Sequence, residues 1–169
     1  NQTTTQFVVE VFYESVVAWG EGGWPVIPRK VENVKSAAMN HDALAVVYND
    51  GKVEVIASDY GGNSERYSSG VVLLDGQAVA AGEYHVLCLR SDGTVVVFGQ
   101  YMSGAYDVPQ DLTNVVAIAA GSDHDLALLA NGTVVAWGSN GSGQCDVPPD
   151  LTNAVAVAAG LYHSLALRS

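Results

Sequence analysis

A period of 39 residues constrains this chain more than anything else in it. Adding 39 to Gly82, His85, Gly93, Gly99, Pro109 and Asn114 gives Gly121, His124, Gly132, Gly138, Pro148 and Asn153, and the same step carries Gly121 and His124 onto Gly160 and His163. A fixed period of this length is the signature of a solenoid, a propeller or an array, in which each unit buries its apolar faces only against its neighbours. The chain therefore reads as one repeat domain over 1–169. A partial first unit with an N-terminal arm occupies 1–30 and a diverged unit 31–74; two close copies follow at 75–114 and 115–153, then a partial last unit at 154–169.

Inside the copy at 115–153 the pattern predicts three strands, at 116–120, 125–130 and 133–137, followed by a long polar loop with room for a fourth. Asp50-Gly51, Asp92-Gly93 and Asn131-Gly132 stand between apolar runs and mark hairpin turns. The middle strand is apolar on both faces, Leu126 and Leu128 on one and Ala127 and Leu129 on the other, so it is sandwiched between neighbouring layers. The Ala-rich first strand is narrow and suits the crowded inside of a ring, while Trp137 or Phe98 fills wider space; Trp19-Gly20 matches Trp137-Gly138. These features predict an all-β fold, a β-propeller or propeller-like arc of about four blades built from repeats of 39–42 residues. Asn33 aligns with Asn114. Asn40 falls where later units have Gly82, Gly121 and Gly160, and because Asn replaces Gly most readily at positive φ, a left-handed backbone is expected there. The unit at 31–74 departs most: Ala43 replaces the histidine, Ile56 the aromatic, and 59–70 is longer by three residues and lacks proline.

Charge narrows the partners. Seven Lys and Arg against 18 Asp and Glu give a formal charge of −11, which leaves too few cations to neutralise phosphates, so no nucleic-acid partner is expected. Apolar runs such as 115–120 are far shorter than the roughly 18 residues a membrane span needs, so no membrane insertion is expected either. Cys88 and Cys145 occupy non-equivalent repeat positions and read as two free thiols. With neither Met nor a signal-like start at Asn1, the sequence reads as a processed chain or a trimmed piece.

One histidine per unit, at His85, His124 and His163, places the three imidazoles in separate blades rather than around a metal. Their expected role is structural, a hydrogen bond to loop backbone near the glycine that begins each turn, and no metal or other cofactor is expected. His41 is out of register. Asp107 with Asp146, and Asp111 with Asp150, flank the Pro-containing loops; carboxylate pairs suit acid–base work or calcium, but recurrence with the period favours loop capping. The loop aromatics Trp24, Tyr60, Tyr101 and Tyr106 are candidates for a binding face. No nucleophile–base pair or phosphate-binding loop stands out, so the chain reads as non-enzymatic. Three N-x-S/T sequons, at Asn1, Asn131 and Asn140, fall at a terminus, a turn and a loop, where glycans could be accommodated in a secreted glycoprotein.

The unit GxxHxLAL, then DG or NG, VVAWG, VP and LTNVVAIAAG, resembles the short bacterial form of the regulator of chromosome condensation repeat, closely over 75–169 and loosely over 15–58. It also resembles propeller-type β-lactamase inhibitor proteins, whose blades have similar length and a similar Trp-Gly. The resemblance implies a propeller, commonly of seven blades, that binds proteins through loops on one face; a length of 169 residues holds only about 4.3 units. The expectation is a structural or protein-recognition module, extracellular or at the cell surface, with inhibition of an enzyme such as a β-lactamase as the alternative.

The two ends carry the same strand type. Subtracting 118 from 125–130 gives 7–12, with Phe7, Val8, Val9, Val11 and Phe12, and adding 39 gives 164–169. Either one blade closes by pairing the ends into a small four-bladed ring, or the arc stays open and the N-terminal strand of one copy completes the last blade of the next. The apolar surplus strand and its Thr-rich arm favour the second, a head-to-tail homo-oligomer or filament.

Overall fold

The computed structural model of the chain describes residues 31–40, 43–58, 67–99 and 107–169. These residues form four antiparallel sheets in sequence order. The first holds β1 (Val34–Met39), β2 (Ala43–Tyr48), β3 (Val53–Ser58) and β4 (Tyr67–Leu73); the second β5 (Gly76–Ala81), β6 (His85–Arg90) and β7 (Val95–Gly99). The third holds β8 (Val115–Ala120), β9 (His124–Leu129) and β10 (Val134–Gly138), and the fourth β11 (Ala154–Ala159) and β12 (Ser164–Arg168). The strands of the 115–153 unit lie within one residue of the expected limits. A fourth strand occurs in the diverged unit, as β4, paired with β3 from Val53↔Leu73 to Ser58↔Tyr67.

Each sheet is a meander, and its turn chemistry repeats. Gly51 donates its N–H to the Tyr48 carbonyl and takes φ 86°, so three residues close the hairpin, a turn followed by one left-handed glycine. Gly93 and Gly132 do the same with φ 78° and 82°. The preceding Asp50, Asp92 and Asn131 are there because their side-chain oxygens accept the N–H two residues on, from Lys52, Thr94 and Thr133 at 2.9, 2.9 and 3.0 Å. Every first strand also carries a bulge near its start: the register slips between Val34 and Ser36, Gly76 and Ala78, Val115 and Ala117, and Ala154 and Ala156. The extra residues include Val116 and Val155, which this places on the surface.

The sheets stack face to face, as blades do. Contacts between them run through the first and second strands: β1 and β2 meet β5, β5 and β6 meet β8, and β8 and β9 meet β11. The Ala-rich first strands are thus where the blades crowd together, and the propeller-type arrangement expected from the period is the one observed. A backbone clamp recurs at each seam. The hairpin glycine of one unit accepts from the first strand of the next: Gly51 from Gly76 at 2.8 Å, Gly93 from Val115 at 3.1 Å, and Gly132 from Ala154 at 3.1 Å.

Left-handed backbone does not occur at Asn40, Gly82, Gly121 or Gly160, contrary to the expectation. Among the described residues, the non-glycine residues with positive φ are Asn33, Asn114 and Asn153, at 59°, 57° and 57°, immediately before a first strand. Gly82 and Gly121 are required for closeness instead. A Cβ at Gly82 would lie 2.1 Å from the His85 ring and 2.6 Å from the Gly121 carbonyl; at Gly121 it would lie 2.2 Å from the His124 ring and 2.7 Å from the Gly160 carbonyl.

Candidate functional site

The middle strand of each unit has two faces, and they point to different neighbours. Toward the following unit face the histidine position and the residues two and four beyond it: Ala43, Ala45 and Val47 in the first sheet, His85, Leu87 and Leu89 in the second, His124, Leu126 and Leu128 in the third. Ala45 and Val47 pack with Val79, Val86 and Cys88 of the second sheet. Leu87 and Leu89 pack with Ala127 and Trp137 of the third, and Leu126 and Leu128 with Val157 and Ala166 of the fourth. Toward the preceding unit face Val86 and Cys88, then Asp125 and Ala127, then Ser164 and Ala166.

Each seam therefore joins a histidine position to the residue after the histidine position of the next unit, and the two match in chemistry. Ala43 and Val86 share one apolar cluster. His85 Nε2 lies 2.7 Å from Asp125 Oδ1, both side chains fully buried, and with the carboxylate ionised the ring N–H donates. His124 Nε2 lies 3.0 Å from Ser164 Oγ, whose own hydroxyl donates to the Gln144 carbonyl at 2.7 Å. That leaves the Ser164 oxygen to accept, so His124 carries its proton on Nε2. For His85 and His124 the expectation of a bond to loop backbone is corrected: each ring has a side-chain partner one unit on. The reason is spacing, since the partner is 40 residues away, one more than the period.

Burial sets the charges of these groups. It holds His124 below the usual imidazole range, with the neighbouring His163 adding to the effect, so His124 is neutral at pH 7. It raises the Asp125 carboxyl, and His85 opposes it. Cys88 is pushed up to about 11 by burial and by Asp75. Cys88 and Cys145 are both free thiols. Among the described residues, no group of three or more His, Cys, Asp and Glu is placed to hold a metal, and no helix is long and apolar enough to cross a membrane.

Among the described residues, none packs on the forward face of the fourth sheet. Leu165 and Leu167, equivalent to Leu126 and Leu128, are 62% and 63% exposed where their counterparts in the second and third sheets are 5% exposed or less. Ala156, Ala158 and His163 on the same face are exposed too. Leu161 and Tyr162, in the turn before β12, are more than half exposed, whereas Ser122, the equivalent of Leu161, is buried. This surface was not singled out in the sequence, where HSLALRS is indistinguishable from the buried copies of the same motif.

The other expected positions separate. Trp137 is buried against the second sheet. Asn131 is exposed at its hairpin turn. Asn140 is exposed but committed: its amide nitrogen donates to Asp146 Oδ1 at 2.8 Å and its oxygen accepts from the Cys145 N–H at 2.8 Å. Trp19, Trp24, Tyr60, Tyr101, Tyr106, Asn1 and the strand with Phe7, Val8, Val9, Val11 and Phe12 lie outside the described residues.

The regulator of chromosome condensation (RCC1) repeat matches residues 77–100 and 115–144, which span nearly all of the second sheet and most of the unit at 115–153. Those two segments are similar to RCC1 repeats. Solved structures agree on the fold. Prp20p from Saccharomyces cerevisiae, studied for its binding to Gsp1p and histones, is 17% identical with a TM-score of 0.62, over 82% of this chain and 44% of that one. Human WBSCR16 is 19% identical with a TM-score of 0.63, over 81% and 45%. The CRINKLY WD40 ectodomain of the Arabidopsis thaliana receptor kinase ACR4 is 15% identical with a TM-score of 0.58, over 84% and 48%. This chain thus spans less than half the length of these RCC1-like propellers. No curated protein sequence matches the chain. The resemblance to β-lactamase inhibitors rests on the sequence alone.

Proposed function

We propose that this set of RCC1-like repeats is a non-enzymatic protein-recognition module, a stiff stack of blades that holds another polypeptide. One observation carries the reading: an apolar stripe that is buried at the inner seams is left uncovered by the described residues on the fourth sheet, and an exposed apolar face of this kind supports an interaction surface. Prp20p, of the same fold, binds proteins, which fits this use of the scaffold. The test is the dye response of the surface: a fluorescent reporter of exposed apolar patches should bind the native chain and lose that signal in Leu165→Ser/Leu167→Ser. Equal signal in both proteins would end the reading.

A finer version has the partner be a second copy. Among the described residues β12 pairs only with β11, so its other edge is available for an added strand, and the apolar segment 7–12 of a neighbour suits it. Sedimentation of the full chain against a chain lacking 1–13 decides this: assembly that persists without those residues is made some other way. The sequons are what supports an extracellular setting, and Asn131, exposed on a turn, is the better acceptor because Asn140 spends its amide on Asp146. The intact mass of native material before and after glycosidase reads it directly. Inhibition of a β-lactamase would need the loop aromatics, and an assay against a panel at micromolar protein settles it.

A further inference from the structure

Asn131 and Asn140 are each followed by glycine. A glycine after asparagine lets the next backbone nitrogen close a cyclic imide onto the side-chain Cγ, because no Cβ stands in the way and the backbone turns freely. The structure separates the two sites. Gly132 N–H is committed to the Leu129 carbonyl at 2.9 Å inside a closed hairpin, and the Gly132 carbonyl accepts from Ala154 at the seam. Gly141 N–H has no hydrogen-bond partner among the described residues. The residue is exposed, and a Cβ there would meet nothing within 4 Å, so its N–H proton is open to solvent base.

We propose that Asn140 is a modification site: it deamidates without an enzyme, through Gly141, and the product loosens the 139–146 loop that is tied to the seam between the third and fourth sheets. The amide is held as an acyl group about to be attacked. Its Oδ1 accepts from Cys145 N–H at 2.8 Å, a donor placed where negative charge develops as Cγ becomes tetrahedral. Its Nδ2 donates to Asp146 Oδ1 at 2.8 Å, so a carboxylate faces the nitrogen that gains a proton and leaves. Hydroxide takes the Gly141 N–H proton, the nitrogen bonds to Asn140 Cγ, and the Cγ–Nδ2 bond breaks as ammonia departs with a proton from water. A second water opens the imide at either carbonyl, leaving a side-chain carboxylate or a backbone rerouted through the side chain. The net change is amide and water to carboxylate and ammonium.

The two sites differ in consequence as well as in rate. Asn131 converted to aspartate becomes what Asp50 and Asp92 already are at the equivalent turns, where the side-chain oxygen accepts the same N–H. At Asn140 the new carboxylate replaces the donor that Asp146 receives at 2.8 Å, and two carboxylates so close repel. The loop between them carries the Gln144 carbonyl, which accepts from the Ser164 hydroxyl, whose oxygen in turn lies 3.0 Å from His124 Nε2. Modification at an exposed amide is thereby transmitted to a buried joint, whatever the module binds.

Peptide mapping by mass spectrometry of the full chain, kept warm at pH 8, tests this. The amide-to-acid mass shift should appear at Asn140 about tenfold faster than at Asn131, and Gly141→Ala should slow it about tenfold, each a difference of about 1.4 kcal/mol in barrier. In urea the two sites should converge, because the contacts that distinguish them are gone. Equal rates in the folded chain, faster conversion at Asn131, or none at Asn140 over a time in which the urea-treated chain converts, overturns the proposal. Asn140→Asp stands in for the product and should melt about 2–4 °C lower. Adding Asp146→Asn should return most of that loss, because the new amide can donate to the new carboxylate and restore the bond in reverse. A double variant no better than Asn140→Asp refutes the coupling to the loop. If a variant fails to fold, the aged original chain, with modified and unmodified fractions separated by charge, gives the same reading. The Gly143 and Asp146 amides, which bond within the loop, should exchange hydrogen faster in the modified fraction, and unchanged exchange refutes the loosening.

Discussion

Replacing Asp125 with valine turns the polar answer at the second seam into the apolar answer used at the first. Asp125 and His85 are both fully buried and 2.7 Å apart, so the substitution strips the His85 Nε2–H of its acceptor where water does not reach. Leaving one member of a buried pair alone costs about 3–5 kcal/mol when charged and about 1–3 kcal/mol when neutral, so about 3 kcal/mol is expected. At roughly 2–4 °C per kcal/mol for a chain of this size, the melting temperature falls by about 6–12 °C. His85→Ala alone should cost about as much, through the stranded carboxyl and the space the ring leaves. The double variant recreates the Ala43–Val86 combination, and both stranded groups are gone. Its loss should be smaller than the sum of the single losses by about 2–3 kcal/mol. Urea unfolding, with the slope checked for constancy, measures all four proteins. The sign with pH is fixed as well. Burial raises the folded carboxyl above its unfolded value, so in His85→Ala the penalty is full above the folded pKa and shrinks as pH falls through it. Losses that add within about 0.5 kcal/mol would refute the matched-seam argument.

Gly121→Ala should cost about 2–3 kcal/mol, because its Cβ would press on the Gly160 carbonyl as well as on His124, while Gly141→Ala, with nothing within 4 Å, should stay within about 0.5 kcal/mol; thermal unfolding of the two compares them. His124 is held below its unfolded value of about 6.5, so stability should be intact above pH 6.5 and fall as the pH drops toward the folded pKa; His124→Gln should flatten that slope in denaturant titrations between pH 7.5 and 5. Iodoacetamide at pH 8 should label Cys145 and spare buried Cys88, whose thiol is pushed up to about 11, so that mass spectrometry finds one adduct in the native chain and two after unfolding.

Much of the fold was legible because the period aligned residues whose conformational demands are strong. Asp-Gly and Asn-Gly located the hairpins, and alternation between two apolar faces located the middle strands. What the sequence hid depends on neighbours. Gly82, Gly121 and Gly160 looked like left-handed positions, yet the requirement is proximity to a histidine ring and, at Gly82 and Gly121, to the next unit's carbonyl, and no local pattern separates the two demands. The histidine partners lay one residue off the period, at a position occupied in turn by Val86, Asp125 and Ser164; read down the column it looks variable, and only reading across seams makes it ordered. A fourth strand was allowed after the third but could not be placed, because the long 59–70 segment, into which β4 reaches, matched no later copy. The open face was invisible for a different reason: Leu165 and Leu167 differ from Leu126 and Leu128 only in what lies against them.

Because His85 and His124 are each answered by the following unit, the segments are not freely interchangeable. Moving 75–114 or 115–153 past one another keeps every histidine opposite an oxygen or a small side chain except where Val86 would have to answer one. The segment 31–74, with Ala43 facing forward and Leu44 facing back, belongs before a unit that carries Val86 and after none that carries histidine. Recombination within this array is therefore directional, and the grammar that governs it is written across the joints rather than inside the words.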